Sequence, residues 1–318
     1  MSRVELTVVV VNYNTAHLLA DLFAAVGAAA QGLALQIIVV DNASRDGSAA
    51  LIRERYPQAE LIANAANVGF GRANNQAIPL IGGDYVLLLN TDAFVATDTL
   101  ARTLAYMRSH PRCGVLGVRL VGRDGSQQPS CRHFPTPLNT FLMRTGLARL
   151  LPWVRGIDDP AWDPAASCDC DWVPGCYYLM PRAVVERVGL FDPRYFLYFE
   201  EVDHCRRVKQ AGWTVHYFAD TTVVHIGGES ARSDSEITES GRQISALQIE
   251  SELLFFRKHH GRLGMWAAIA LSAVADAYLA LKWVAKRRDM AGTRPYWQHA
   301  GTTWSLLRQT HQGTRPTR

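Results

Sequence analysis

A chain of 318 residues, 48% hydrophobic and 19% charged, has the makeup of a folded protein with about two structural units. That composition excludes a disordered or low-complexity chain. A formal charge of +4 is too small to argue for nucleic acid as a partner. The cations instead gather near the C-terminus, where Lys282, Lys286, Arg287, Arg288, Arg294, Arg308, Arg315 and Arg318 face Asp289 alone among acids. Such an end suits anionic surfaces, phospholipid headgroups included.

The first 120 residues alternate between short apolar runs and helical patterns, the rhythm of βαβ units around a parallel sheet. Strands are predicted at Leu6–Val11, Leu35–Val40, Glu60–Ala63, Tyr85–Leu89 and Val115–Leu120. Helices are predicted at Ala16–Ala30, through Ile52 to Tyr56, at Gly71–Ile78 and at Thr97–Ser109, with Pro57, Pro79 and Pro111 as stops. From Val121 the pattern loosens, and prolines punctuate a stretch that reads as an acceptor surface or lid. Regular elements return as helices at Arg182–Val188 and Val202–Gln210, then strands at Thr214–Phe218 and Thr222–His225. Two long helices, Ser235–His260 and Leu263–Lys286, follow.

The division expected is a nucleotide-binding half over 1–120, an acceptor-binding and catalytic half over 121–234, and a helical extension over 235–318. Six cysteines without a CxxC pair read as reduced structural thiols, and no basic-then-apolar leader opens the chain, so a cytoplasmic protein is expected.

Chemistry concentrates at the strand tips. The run Val86–Leu89 ends abruptly at Asn90-Thr91-Asp92, and ligands of open α/β sheets sit beyond the carboxyl ends of such strands. Tyr13 and Asp41 lie at or just past the ends of two neighbouring predicted strands. A carboxylate at Asp41 can accept the imide N–H of a pyrimidine, while Asp92 can hold a divalent cation against a diphosphate. Arg72 follows Asn67-Val68-Gly69-Phe70-Gly71, where glycines permit close backbone approach and a guanidinium can meet phosphate or base.

A second constellation runs from Phe191 to Asp203: a dense aromatic stretch, then Glu200, Glu201 and Asp203 at a helix start. Acids there complement the helix dipole, and Glu200 fits that role. Burial beside aromatics also raises a carboxyl pKa and makes a general base. Third, His225 ends a strand and precedes Gly227-Gly228, so an imidazole and approachable backbone amides stand ready for metal and diphosphate.

Taken in order, Val9–Asn14, Val39–Ser48, Asn67–Asn75, Asn90–Asp92, Trp172–Cys176, the aromatic-acid run to Asp203 and His225 resemble the inverting family 2 glycosyltransferases, closest to their rhamnosyltransferase-like branch. The resemblance implies a GT-A fold: an α/β protein whose Rossmann-like nucleotide-binding sheet is fused to an acceptor-binding half, here with C-terminal helices. It implies a nucleotide-sugar site at Val11, Tyr13, Asp41, Asn67, Gly69, Arg72, Asn90, Thr91 and Asp92, with Mg²⁺ or Mn²⁺ on Asp92 and His225. It implies an acceptor site at Trp172, Gly175 and Glu200.

Two departures stand out. Asn90 replaces the first acid of the family's DXD motif, and Glu200-Glu201 replaces its usual Glu-Asp pair. Glu201 is therefore expected as the base, with Asp203 in reserve. The implied donor is dTDP-rhamnose or a UDP-sugar, and the implied acceptor a glycan or polyprenyl-diphosphate-linked saccharide of the cell envelope. Competing readings are a nucleotidyltransferase, for which Asn12–Thr15 lacks a glycine-rich basic loop, and a non-catalytic sugar-nucleotide module.

Met265–Ala285 is apolar enough to suggest a membrane span, but Asp276 near its middle argues against one. Its flanking Trp283 and basic residues suit a helix lying on the inner face of the cell membrane, with a dimer or core-covering helix as the alternative.

Overall fold

The computed structural model describes residues 3–151, 153–158, 162–227 and 241–318, with side chains from Ala246 onward in the last stretch. In chain order the elements are β1 (Leu6–Asn12), α1 (Ala16–Ala29), β2 (Leu35–Asp41), α2 (Ser48–Arg55), β3 (Glu60–Ala63), α3 (Phe70–Gln76), β4 (Tyr85–Asn90), β5 (Ala93–Val95), α4 (Thr99–Ser109), β6 (Cys113–Val121), β7 (Gln127–Gln128), α5 (Pro137–Thr145), β8 (Cys168–Asp169), β9 (Tyr177–Pro181), α6 (Arg182–Val188), α7 (Glu200–Gln210), β10 (Thr214–His225), α8 (Gly241–His259), α9 (Gly261–Arg287) and α10 (Arg294–Gln309). Contacts divide the chain into two units. One gathers 1–132, 161–193 and 200–239, and the other 133–160, 194–199 and 240–318.

The first unit is built on a sheet of order β3-β2-β1-β4-β9-β6-β10-β5. Strands β3, β2, β1 and β4 run parallel, with Val11 opposite both Val40 and Asn90, so the three tips finish at one level. Their apolar runs are buried on both faces, Val8, Val10, Val39, Leu87 and Leu89 on one and Val9, Ile38, Val40 and Leu88 on the other, which is why they lack polar alternation. Strand β9 enters antiparallel between β4 and β6 and reverses the local direction. The two strands expected at Thr214–Phe218 and Thr222–His225 form one strand, β10, with an irregularity between Phe218 and Thr222 where it pairs with β6. The second of the long helices begins at Gly261, and the residues of the first expected before Gly241 lie outside the described residues.

In the second unit α9 packs against α5, α8 and α10. Asp276, 1% exposed, is held by Arg144 of α5 and by His299 Nδ1 of α10 at 2.9 Å, while Arg144 Nη1 donates to Ser272 Oγ at 2.7 Å. The acid inside the apolar helix thus faces protein, paired on two sides. Removing one partner of a buried ion pair leaves an uncompensated charge. Arg144→Leu is expected to destabilise this unit by about 3 kcal/mol, read as a lowered urea midpoint by circular dichroism.

Candidate active site

Three strand tips build one wall. Asp41, last residue of β2 and buried, accepts hydrogen bonds from Asn12 Nδ2 (2.8 Å) and from the Ser44 amide (3.0 Å). Asn12 Oδ1 accepts from Thr15 Oγ1, which lies 2.9 Å from Thr91 Oγ1, so the β1, β2 and β4 tips are cross-linked by side chains. Asn42 Nδ2 donates to Asn67 Oδ1 at 2.8 Å, and that oxygen also accepts the Gly69 amide at 2.9 Å. Gly69 carries φ 90°, a left-handed value that favours glycine, and it turns the chain into α3. Val11 and Tyr13 are both partly exposed, at and just beyond the end of β1.

Arg72 on α3 donates from Nε to Pro193 O at 2.7 Å. One turn on, Asn75 clamps Phe191, donating to its carbonyl (2.7 Å) and accepting its amide (3.0 Å). These bonds fasten the aromatic loop of the second constellation to the nucleotide-side helix.

At the β4 tip, Asp92 is 6% exposed and its Oδ2 accepts the Gly227 amide at 3.1 Å. Its Oδ1 faces His225 Nε2 across 3.6 Å. Gly227 has φ 75°, the conformation that brings the amide back onto the carboxylate. Gln128, which carried no signal in the sequence, holds His225 twice. Its Nε2 donates to the His225 carbonyl at 2.8 Å, and its Oε1 lies 2.9 Å from His225 Nδ1. An amide oxygen only accepts, so Nδ1 bears a proton in this arrangement and Nε2 is the nitrogen turned toward Asp92. Gly228 lies outside the described residues.

The 3.6 Å gap is too wide for a hydrogen bond. It is wider than the about 3.0 Å between adjacent ligands of an octahedral ion at about 2.1 Å, so both groups would reach one small divalent cation after a small closing movement. No cluster of three or more metal-binding side chains occurs among the described residues, so diphosphate oxygens and water would complete the shell. The donor set, one carboxylate and one imidazole, fits Mg²⁺ or Mn²⁺.

The acids stand at the start of α7, entered through Tyr198 and Phe199 at φ 71° and 68°. Bulky residues in that region cost on the order of 1–3 kcal/mol each, strain that fixes how the helix begins. Glu200 is buried and Glu201 partly so, and each has an Oε2 without a protein partner. Burial, then the charge of Glu201, pushes Glu200 well above the ordinary carboxyl range. Burial also raises Glu201, opposed by its own backbone and by the Arg132 guanidinium. Glu200, the more strongly raised of the two, is the one favoured to carry a proton, while Arg132 favours the charged form of Glu201. Arg132, a second residue without a sequence signal, stacks on Trp172 at 4.6 Å.

Asp203 lies elsewhere. Fully buried, it takes the Arg207 Nε at 2.8 Å, and Arg207 also donates to the Val188 and Leu190 carbonyls. Its geometry is that of a helix anchor.

Gly175 joins the two groups of residues. A Cβ there would come to 3.8 Å from both Glu201 Cβ and Phe70. The next residue, Cys176, accepts the Asn90 amide through its carbonyl at 3.0 Å. Burial raises the Cys176 thiol, and the charges of Asp92 and Glu201 raise it further, so both carboxylates lie within electrostatic reach of this one residue. Asn90 Oδ1, two residues before Asp92, is buried without a protein partner.

The family profile described as Glycosyl transferase family 2 matches residues 7–158. An N-acetylglucosaminyl-diphospho-decaprenol L-rhamnosyltransferase of Mycobacterium tuberculosis is 30% identical over 218 residues, spanning 63% of this chain and 69% of that protein. The chain belongs to glycosyl transferase family 2. This glycosyltransferase is also 27% identical over 175 residues to the rhamnosyltransferase WbbL of Escherichia coli, across 52% of its own length and 63% of that relative's. A mannosyltransferase of Pyrobaculum calidifontis, solved with GDP-Man and Mn²⁺, shares the fold at TM-score 0.54 and 18% identity, covering 99% of this chain and 88% of that one. The expected GT-A architecture of the glycosyltransferase is therefore present, with a helical C-terminus.

Proposed function

We propose that this glycosyltransferase moves rhamnose from dTDP-rhamnose onto a hydroxyl of a polyprenyl-diphosphate-linked saccharide, with inversion and with Mg²⁺ or Mn²⁺. The observation carrying this reading is that Gly175-Cys176 meets the Asn90 tip through the Cys176 carbonyl and Glu201 beside Gly175, with His225 facing Asp92. Rhamnosyl transfer is supported by the names of the two curated relatives, and a lipid-linked diphosphate acceptor by the first. Reaction on the cytoplasmic side is supported by six cysteines that form no disulfide among the described residues.

In this mechanism Asp41, at the end of β2, reads the imide edge of the base, and Arg72 with the Asn67–Gly69 turn contacts the nucleotide. Asp92 and His225 hold the cation, which when bound supplies Lewis-acid stabilisation of the departing diphosphate. Glu201 takes the proton of the acceptor hydroxyl as that oxygen attacks the anomeric carbon. Attack from the face opposite the leaving group inverts the configuration. Burial pushes Glu200 toward its neutral form, which lessens the negative charge beside Glu201 and so favours the ionised state that a base needs. Trp172 and Gly175 border the acceptor side.

The decisive test is release of nucleoside diphosphate from dTDP-rhamnose and from UDP-sugars, with cation and a polyprenyl-diphosphate saccharide. Faster turnover with a UDP-sugar replaces the donor; binding without release returns the protein to a binding module.

The pH profile gives a second check. Glu201 must be ionised, and its pKa lies above the ordinary 4.5, so turnover rises with pH through the raised value. Arg132 favours the charged form, and Arg132→Gln is expected to move that acid limb upward, measured as kcat/KM against pH.

A further inference from the structure

The outward face of α9 is apolar from end to end. Leu263, Ala267, Ala270, Val274, Leu281 and Ala285 recur at helical spacing and are exposed, Leu263 at 87%, Val274 at 55% and Leu281 at 71%. Over 27 residues the stripe runs about 40 Å. The opposite face, with Met265, Ala275, Asp276 and Ala280, is buried against protein. At the rim, Trp266 and Trp304 lie with ring centroids 6.4 Å apart, and the Arg308 guanidinium sits 5.7 Å from the Trp304 ring.

The charges bordering this stripe are predominantly basic, with Asp289 the one exposed acid beside them. Arg262 stands at its start, and Lys282, Lys286, Arg287 and Arg288 at its end, all exposed. The helix's one acid, Asp276, is turned inward and neutralised by Arg144 and His299. Two copies pairing in parallel would lay the basic ends on one another, and pairing antiparallel would set them against Arg262. Either way like charges meet, whereas an anionic surface answers all of them. A membrane span would require α9 to leave α5, α8 and α10 and carry Asp276 into hydrocarbon.

We infer that α9 is a membrane-docking surface: it lies flat on an anionic phospholipid bilayer, its stripe in the acyl boundary, Trp266 and Trp304 at headgroup level, and the basic end on lipid phosphates. The inference stands on the helical unit alone and does not depend on the donor or the base assigned above.

The test is sedimentation of the full chain with phosphatidylcholine vesicles, with and without phosphatidylglycerol. Expected are binding to the anionic vesicles that weakens with added salt, and quenching of tryptophan fluorescence by brominated lipid. Each cation near the surface contributes about a fivefold gain in partition, so Lys282→Gln, Lys286→Gln and Arg287→Gln together should lower binding on the order of 100-fold. Val274→Glu with Leu281→Glu should weaken it as well, with helicity and nucleoside-diphosphate release unchanged. Should the glutamate pair disturb folding, the surface glutamine triple still decides. No binding, or equal binding to neutral vesicles, overturns the inference. So does a wild-type dimer in sedimentation velocity that Val274→Glu dissociates, or resistance to alkaline carbonate extraction.

Discussion

Glu201→Gln is expected to lower kcat by about 10²–10⁴-fold while donor affinity holds, because general-base contributions fall in that range and the amide keeps the side chain's size. One carboxylate oxygen is buried without a partner, and the backbone amides of Glu201 and Val202 that the carboxylate accepts still find an acceptor in the glutamine carbonyl. Single-turnover transfer beside nucleotide titration separates the two effects; normal turnover would remove Glu201 from the role. Glu201→Asp should fall between, since a carboxylate withdrawn by one methylene is misplaced rather than absent. Asp203→Asn makes the contrast. It breaks a fully buried pair with Arg207, so the loss should appear in thermal unfolding before it appears in kcat.

Asp92→Asn is expected to abolish the cation's effect on donor binding, with metal affinity reduced more than about 100-fold, beyond what outer partners contribute. Gln128→Leu should cost less, about 10–100-fold, by freeing the His225 ring to adopt the other tautomer. Gln128→Glu keeps an acceptor for Nδ1 and should recover part of the loss. Isothermal titration of nucleotide with and without Mn²⁺ reads all three. The ¹⁵N shifts of the His225 ring report the tautomer separately from metal. A donor titration of Asp92→Asn as steep with cation as that of the parent would refute the assignment.

The strand tips were legible because their information is local. A buried parallel strand writes itself as an unbroken apolar run, and the polar residue that stops it marks the strand's tip, as at Asp41 and Asn90-Thr91-Asp92. Strand β9 was not legible. Tyr177–Met180 is a short apolar run ended by Pro181, and a fully buried strand of that length has no alternation to distinguish it. Helix α10 escaped for another reason: Gly301 and the exposed Trp297 and Trp304 blur its apolar face. Gln128 and Arg132 act only because distant segments meet, Gln128 at His225 and Arg132 beside Glu201. A neutral amide in a proline-rich stretch announces nothing.

Strand β9 lies between β4 and β6, with Leu89 opposite Tyr177. That register alone sets Gly175 and Cys176 against the Asn90 tip, since slipping by one residue would turn each side chain to the other face. The chain between Val121 and Tyr177 thus reaches the strand tips at separate points: Gln128 at His225, Arg132 near Glu201, and Gly175-Cys176 at Asn90. A change of length between those points would leave each of the three contacts in place, whereas a one-residue change between Cys176 and Leu179 would displace the last of them.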